Sequence, residues 1–152
     1  MPDNSRKTTE IDRRAQSPNF ICKLSSGLVF LSNMQFLRGY CILQAYPVVE
    51  SINVLTPEQR ISFLCDMAFM GDVLLEVTTG AYRINYALMG NSDPMLHAHI
   101  VPRYLSEPEE LRRGLPWSYP TIYDDNTAFS LDRDKELLIQ LRDAIQWRAI
   151  NS

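Results

Sequence analysis

The chain has little of what builds metal centres or disulfide frameworks. Its 152 residues include three cysteines, Cys22, Cys41 and Cys65. The number is odd, the spacings are wide and no Cys-x-x-Cys pair occurs, so neither a zinc knuckle nor a dithiol redox motif can be read from them. Small buried thiols in a reducing compartment are the expectation. No stretch approaches the ~20 consecutive apolar residues of a membrane span. The N-terminus has basic residues but no apolar block behind them, so it does not read as a secretory signal, and the cytoplasm is the default location. Charge of one sign is not in excess either, the formal net charge being -3. Nucleic-acid binding needs a basic footprint, and here Lys and Arg are scattered. Neither nucleic acid nor membrane is therefore expected as a partner. Internal repeats and low-complexity tracts are absent.

What is present suits one domain. The length leaves little room for two, and a hydrophobic fraction of 45% supports a core at this size. Residues 1–17 are polar and charged around Ile11 and read as a flexible tail. From 18 to 152 the pattern is globular. Gly27–Leu31 is a short apolar run with the character of a buried strand, and Gly39–Tyr46, ended by Pro47, is a second. Thr56-Pro57-Glu58-Gln59 starts a helix: Thr56 caps, Pro57 suits the first turn and Gln59 completes a capping box. The helix runs over 57–78, with Ile61, Leu64, Cys65, Ala68, Phe69 and Leu75 at helical spacing and Gly80 as its stop. Tyr82–Met89 alternates as a third strand. Gly90-Asn91-Ser92-Asp93-Pro94 has turn chemistry, and Met95–Val101, stopped by Pro102, is the fourth strand. Residues 103–131 are expected to form an irregular flap. Residues 132–148 form a helix with Leu137, Leu138, Leu141, Ala144 and Ile145 as its apolar face. The order β-β-α-β-β-α favours an antiparallel sheet with helices packed on it, an α+β fold.

Only two histidines occur, and they stand two residues apart. On a strand, side chains repeat every second residue on one face. His97 and His99 therefore point the same way, with Met95, while Leu96, Ala98 and Ile100 face the core. Two adjacent imidazoles discourage each other's protonation, so at least one stays neutral near pH 7, and a neutral imidazole is a nucleophile or base. On these residues alone a structural pair remains open. So does a metal site, although that would need a distant Asp, Glu or Cys as third ligand.

The segment Asn85-Tyr86-Ala87-Leu88-Met89-Gly90-Asn91, followed by Pro94-Met95-Leu96-His97-Ala98-His99-Ile100-Val101-Pro102-Arg103-Tyr104, resembles the signature of the histidine triad superfamily, His-φ-His-φ-His-φ-φ with φ apolar. Arg38–Leu43 resembles the family's second strand and Leu55–Arg60 the start of its helix. Glu107-Pro108 and Leu115-Pro116-Trp117 resemble the tail of its bacterial-type hydrolase branch. The likeness covers about residues 20–120. It implies binding of nucleoside phosphates or phosphoramidates and a nucleotidyl-histidine intermediate that water releases. No cofactor and no metal are implied. His97 falls at the nucleophile, and His99 at the histidine that contacts phosphate oxygens or the leaving group. The pattern breaks at the first histidine, where Met95 stands. That histidine helps orient the nucleophile, and a thioether cannot do so by donating a proton. The runner-up implication is a nucleotide-binding protein with weakened turnover. The resemblance also implies a homodimer.

Other positions carry two readings each. Asn91 could contact phosphate or form the turn. Ser32 and Asn33 lie where the family has a polar residue near the α-phosphate. Arg103 could reach a phosphate or be a solvated charge, and Asn85 could be buried structure. Leu28, Phe30, Ile42 and Leu43 could line a nucleoside pocket or fill the core. Trp117 could stack on a base or anchor the flap.

Overall fold

The computed structural model describes residues 5–152. Alternating runs give five strands: β1 (Phe20–Lys23), β2 (Gly27–Leu31), β3 (Cys41–Ala45), β4 (Ala81–Leu88) and β5 (His97–Tyr104). They form one antiparallel sheet in the order β1-β2-β3-β5-β4. The expected α+β architecture is the one observed, with β1 as an unanticipated extra edge strand. Strand β5 lies inside the sheet between β3 and the edge strand β4, and this placement sets the histidines beside β3.

One face of the sheet is covered by α2 (Pro57–Val77) and α4 (Leu131–Asn151). Val29, Leu31, Cys41, Leu43, Ala98 and Ile100 turn to these helices and join Phe63, Met70, Leu74, Leu138 and Leu141 in the main core. Burying each such aliphatic side chain contributes roughly 1.5–3 kcal/mol. The alternate residues, Leu28, Phe30, Ile42, Gln44, His97 and His99, are left on the opposite face. Helix α2 begins with the capping box anticipated from Thr56: its Oγ1 accepts from the Gln59 N–H at 3.2 Å and its own N–H donates to Gln59 Oε1 at 3.0 Å. Arg38, just before β3, pairs with the fully buried Asp134 of α4 at 2.9 Å.

Four expectations are corrected. The tail predicted over 1–17 is helical from Ser5 to Arg14 (α1), its first four residues lying outside the described ones. Ile11 is fully buried against Leu28, Phe30, Val48 and Met95. A single apolar contact has no periodicity, which is why it left no signal. On α2 the stripe Ile61, Leu64, Cys65, Ala68 and Leu75 faces outward, and Phe63, Met70, Val73 and Leu74 face the core. The helix is apolar on both sides, so spacing could not choose between them. Pro102 does not stop β5, which runs on to Tyr104. Pairing with β3 ends at Ile100, and beyond it a residue without an N–H leaves no ladder bond unmade on that side. The flap contains α3 (Glu109–Arg113) and two short 3-10 turns, Pro116–Ser118 and Asp125–Thr127. It returns to the sheet through the Phe129 N–H, which donates to the Asn33 carbonyl at 2.8 Å.

Candidate active site

A cleft of about 600 Å³ opens on the sheet face away from α2 and α4, and both histidines line it. Strand register builds its floor. Gln44 of β3 lies opposite His97 and Ile42 opposite His99, while Phe30 of β2 lies opposite Ile42. The floor is thus part apolar and part imidazole. Ser32 and Asn33, which follow β2, form one wall, and Arg14 and Asn19 come from the N-terminal segment.

The two rings are in contact, with centroids 4.8 Å apart and planes 71° to each other. His97 Nδ1 lies 2.7 Å from the Met95 carbonyl oxygen. A carbonyl only accepts, so Nδ1 carries the proton, and in the neutral ring Nε2 holds the lone pair. The Met95 side chain meanwhile is buried with Ile11 and Leu28. The position expected to weaken the site by lacking an imidazole therefore orients His97 through its backbone, whatever its side chain. His99 Nδ1 lies 2.5 Å from the Tyr40 hydroxyl. Burial, and after it the neighbouring His97, pushes His99 down to about 4, so that this ring is neutral at pH 7. Trp117 of the flap packs edge-on against it at 5.3 Å and 84°.

The other anticipated residues separate into groups. Ser32 and Asn33 line the cleft with the histidines. Asn91 is exposed and outside the cleft lining. Arg103 is 2% exposed, and neither the phosphate-contact nor the solvated-charge reading holds for it. All five of its N–H donors are taken, by Glu107, Asn85 and the carbonyls of Leu111 and Gly114. Its ion pair with Glu107, at 2.9 Å, ties the flap to β5. Phe30 and Ile42 line the cleft, and Leu43 belongs to the core. Trp117 lies beside His99 and is not part of the cleft lining. Tyr40, Gln44, Arg14 and Asn19 were missed. Alternation along β3 put Tyr40, Ile42 and Gln44 on one face and could have flagged two of them. Nothing in the sequence flagged the N-terminal pair. Among the described residues no cluster of three His, Cys, Asp or Glu side chains is arranged to hold a metal ion.

No family model and no curated protein matches the chain. Solved structures do. A histidine triad protein from Marinobacter aquaeolei superposes with a TM-score of 0.68 at 20% identity, over 90% of this chain and 94% of that one. One from Sinorhizobium meliloti gives 0.67 at 19% identity, over 88% and 93%. The chain has the histidine triad fold. A diadenosine triphosphate hydrolase from Plasmodium falciparum shares the histidine triad fold more loosely, with a TM-score of 0.56 at 19% identity over 86% and 78%. The antiparallel sheet that carries His97 and His99 thus belongs to a fold shared with these proteins, and at these identities the likeness speaks for the fold alone.

Proposed function

We propose that this protein cleaves a phosphoanhydride or phosphoramidate bond of a nucleoside phosphate through a nucleotidyl-histidine intermediate on His97. One observation carries this reading: His97 is held through Nδ1 by a backbone carbonyl, so the lone pair of its Nε2 belongs to a ring that is fixed in a cleft beside a second imidazole. In the first step that lone pair bonds to the α-phosphorus and the bond to the leaving group breaks, its electron pair departing with the leaving group. In the second, water attacks phosphorus, the N–P bond breaks, and solvent takes the proton of the water. His99 and Asn33 are the polar groups we assign to the phosphate oxygens. Phe30 and Ile42 offer an apolar wall to the nucleoside. The diadenosine triphosphate hydrolase among the similar structures and the sequence likeness to the bacterial-type branch support the same class.

The test compares wild type with His97→Ala on dinucleoside polyphosphates and adenosine phosphoramidates, with mass spectrometry of a quenched reaction for the adduct. Loss of at least about a thousandfold in rate is expected. Equal rates in the two proteins would overturn the reading. Tight mononucleotide binding with no turnover would favour the weakened binding protein instead.

We also propose a homodimer. The outward stripe of α2, with Ile61 63% and Leu64 39% exposed, continues onto the edge strand β4, where Tyr82 and Tyr86 are exposed. Apolar surface of this extent on a helix and a neighbouring edge strand suits a two-fold contact. A cytoplasmic location accords with the free thiols, and fractionation of the native cell tests it.

A further inference from the structure

The Tyr40 hydroxyl has three neighbours. It lies 2.5 Å from His99 Nδ1, and the Trp117 indole and the Ser32 hydroxyl stand near it and pull its proton affinity down. An indole N–H can only donate, so Trp117 is a donor beside the phenol oxygen. Ser32 Oγ already accepts from the Met34 N–H at 3.1 Å, which leaves its own proton for the same oxygen. With donors on two sides and His99 Nδ1 as its one close hydrogen-bond partner among the described residues, the phenol directs its proton at the imidazole. Tyr40 is buried and is not part of the cleft lining, whereas His99 is. The nitrogen of His99 left for the cleft is therefore Nε2.

We propose that Tyr40, flanked by Trp117 of the flap and by Ser32, is a positioning residue that donates to Nδ1 of His99 and so fixes that ring as an Nε2–H donor facing the cleft. The two imidazoles then carry opposite tautomers. His97 has its proton on Nδ1 and presents a lone pair; His99 has its proton on Nε2 and presents a donor. One ring is set to attack phosphorus and the other to hold an oxygen on it, and neither can exchange roles without breaking a hydrogen bond outside the cleft. The neutrality of His99 and the upward push of burial on Tyr40, to about 12, agree with a protonated phenol facing a neutral ring. The arrangement also couples the flap to the chemistry, because Trp117 reaches His99 both by its ring edge and through Tyr40. This inference rests on the nucleotidyl-transfer reading for its consequence, but its structural content is the tautomer of one ring.

The experiment is long-range ¹H–¹⁵N correlation on uniformly ¹⁵N-labelled protein, which reports the tautomer of each histidine with no substrate. Wild type should show His97 protonated on Nδ1 and His99 on Nε2. Tyr40→Phe should leave His97 unchanged and give His99 a mixture, and Trp117→Phe, which keeps a ring but loses the N–H, should move it part of the way. Where wild type turns over a nucleotide, Tyr40→Phe should lower kcat about tenfold with KM little changed, the size of one lost hydrogen bond in the transition state. His99 protonated on Nδ1 in wild type, or an unchanged His99 spectrum in a folded Tyr40→Phe protein, would overturn the proposal. A protein with the expected tautomers and no turnover would sink the enzymatic reading and leave the tautomer assignment standing.

Discussion

His99 is held in an environment that disfavours its charged form. A free histidine titrates near ~6.5, and here burial first and His97 second push it down to about 4. The sign for stability follows from proton counting. Between about 6.5 and 4 the unfolded chain takes up a proton at this position and the folded chain does not. Acidification through that window therefore favours unfolding, and stability falls as pH falls. NMR titration should show the His99 ring neutral down to about pH 5, while urea midpoints decline from pH 7 to pH 4.5 more steeply in wild type than in His99→Asn. A His99 midpoint close to the free value would contradict the burial seen here. Arg103 teaches the opposite lesson at the same scale. It shares the strand face of the histidines by alternation, yet its guanidinium is consumed by Glu107 and by carbonyls of the flap. A charge beside a cleft is available to substrate only when its donors are not already matched.

Among the elements, α1 is the one that changes the site from what its strands alone would make. It closes one end of the cleft through Ile11, whose seat includes Met95, and it supplies Arg14 to the lining. Arg14 is also paired with Glu10 at 2.6 Å, an exposed i,i+4 contact of little worth by itself. The contacts that hold the helix include one buried side chain, Ile11, and the Asp12 carboxylate, which accepts from the Tyr46 hydroxyl at 2.8 Å. Truncating a buried isoleucine to alanine costs about 2–5 kcal/mol, more than a surface helix of this length holds in reserve. Hydrogen exchange should show residues 5–14 of Ile11→Ala exchanging freely while β2, β3 and β5 keep wild-type protection, and nucleotide affinity should fall. Retained protection over 5–14 would mean that other contacts hold α1. Ile11→Leu, which conserves volume, should behave as wild type.

On the scale of the whole molecule, the sheet is covered on one face and bears the cleft on the other, and the outer stripe of α2 is exposed among the described residues. If that stripe joins two copies, light scattering after size exclusion should give twice 17.5 kDa, and Leu64→Glu should give a monomer by placing a charge at the contact. A wild-type monomer at micromolar concentration would remove the proposal. Leu64 is exposed in the single chain, so the variant should keep its secondary structure and separate assembly from folding.

Much of this was legible before any coordinates. The α+β class, the start of α2, the buried face of α4 and the shared side of His97 and His99 all follow from period-2 and period-3.6 patterning and from capping chemistry, which act over a few residues. The pairing of Tyr40 with His99 spans 59 positions and exists only because β5 inserts between β3 and β4. The inward face of α2, the burial of Ile11 and the withdrawal of Arg103 into the flap likewise depend on which surfaces meet. Local sequence determined that two imidazoles would stand side by side. Only the tertiary structure decided what touches the far side of each ring, because hydrogen-bond partners are chosen by proximity in space, and strand order sets that proximity.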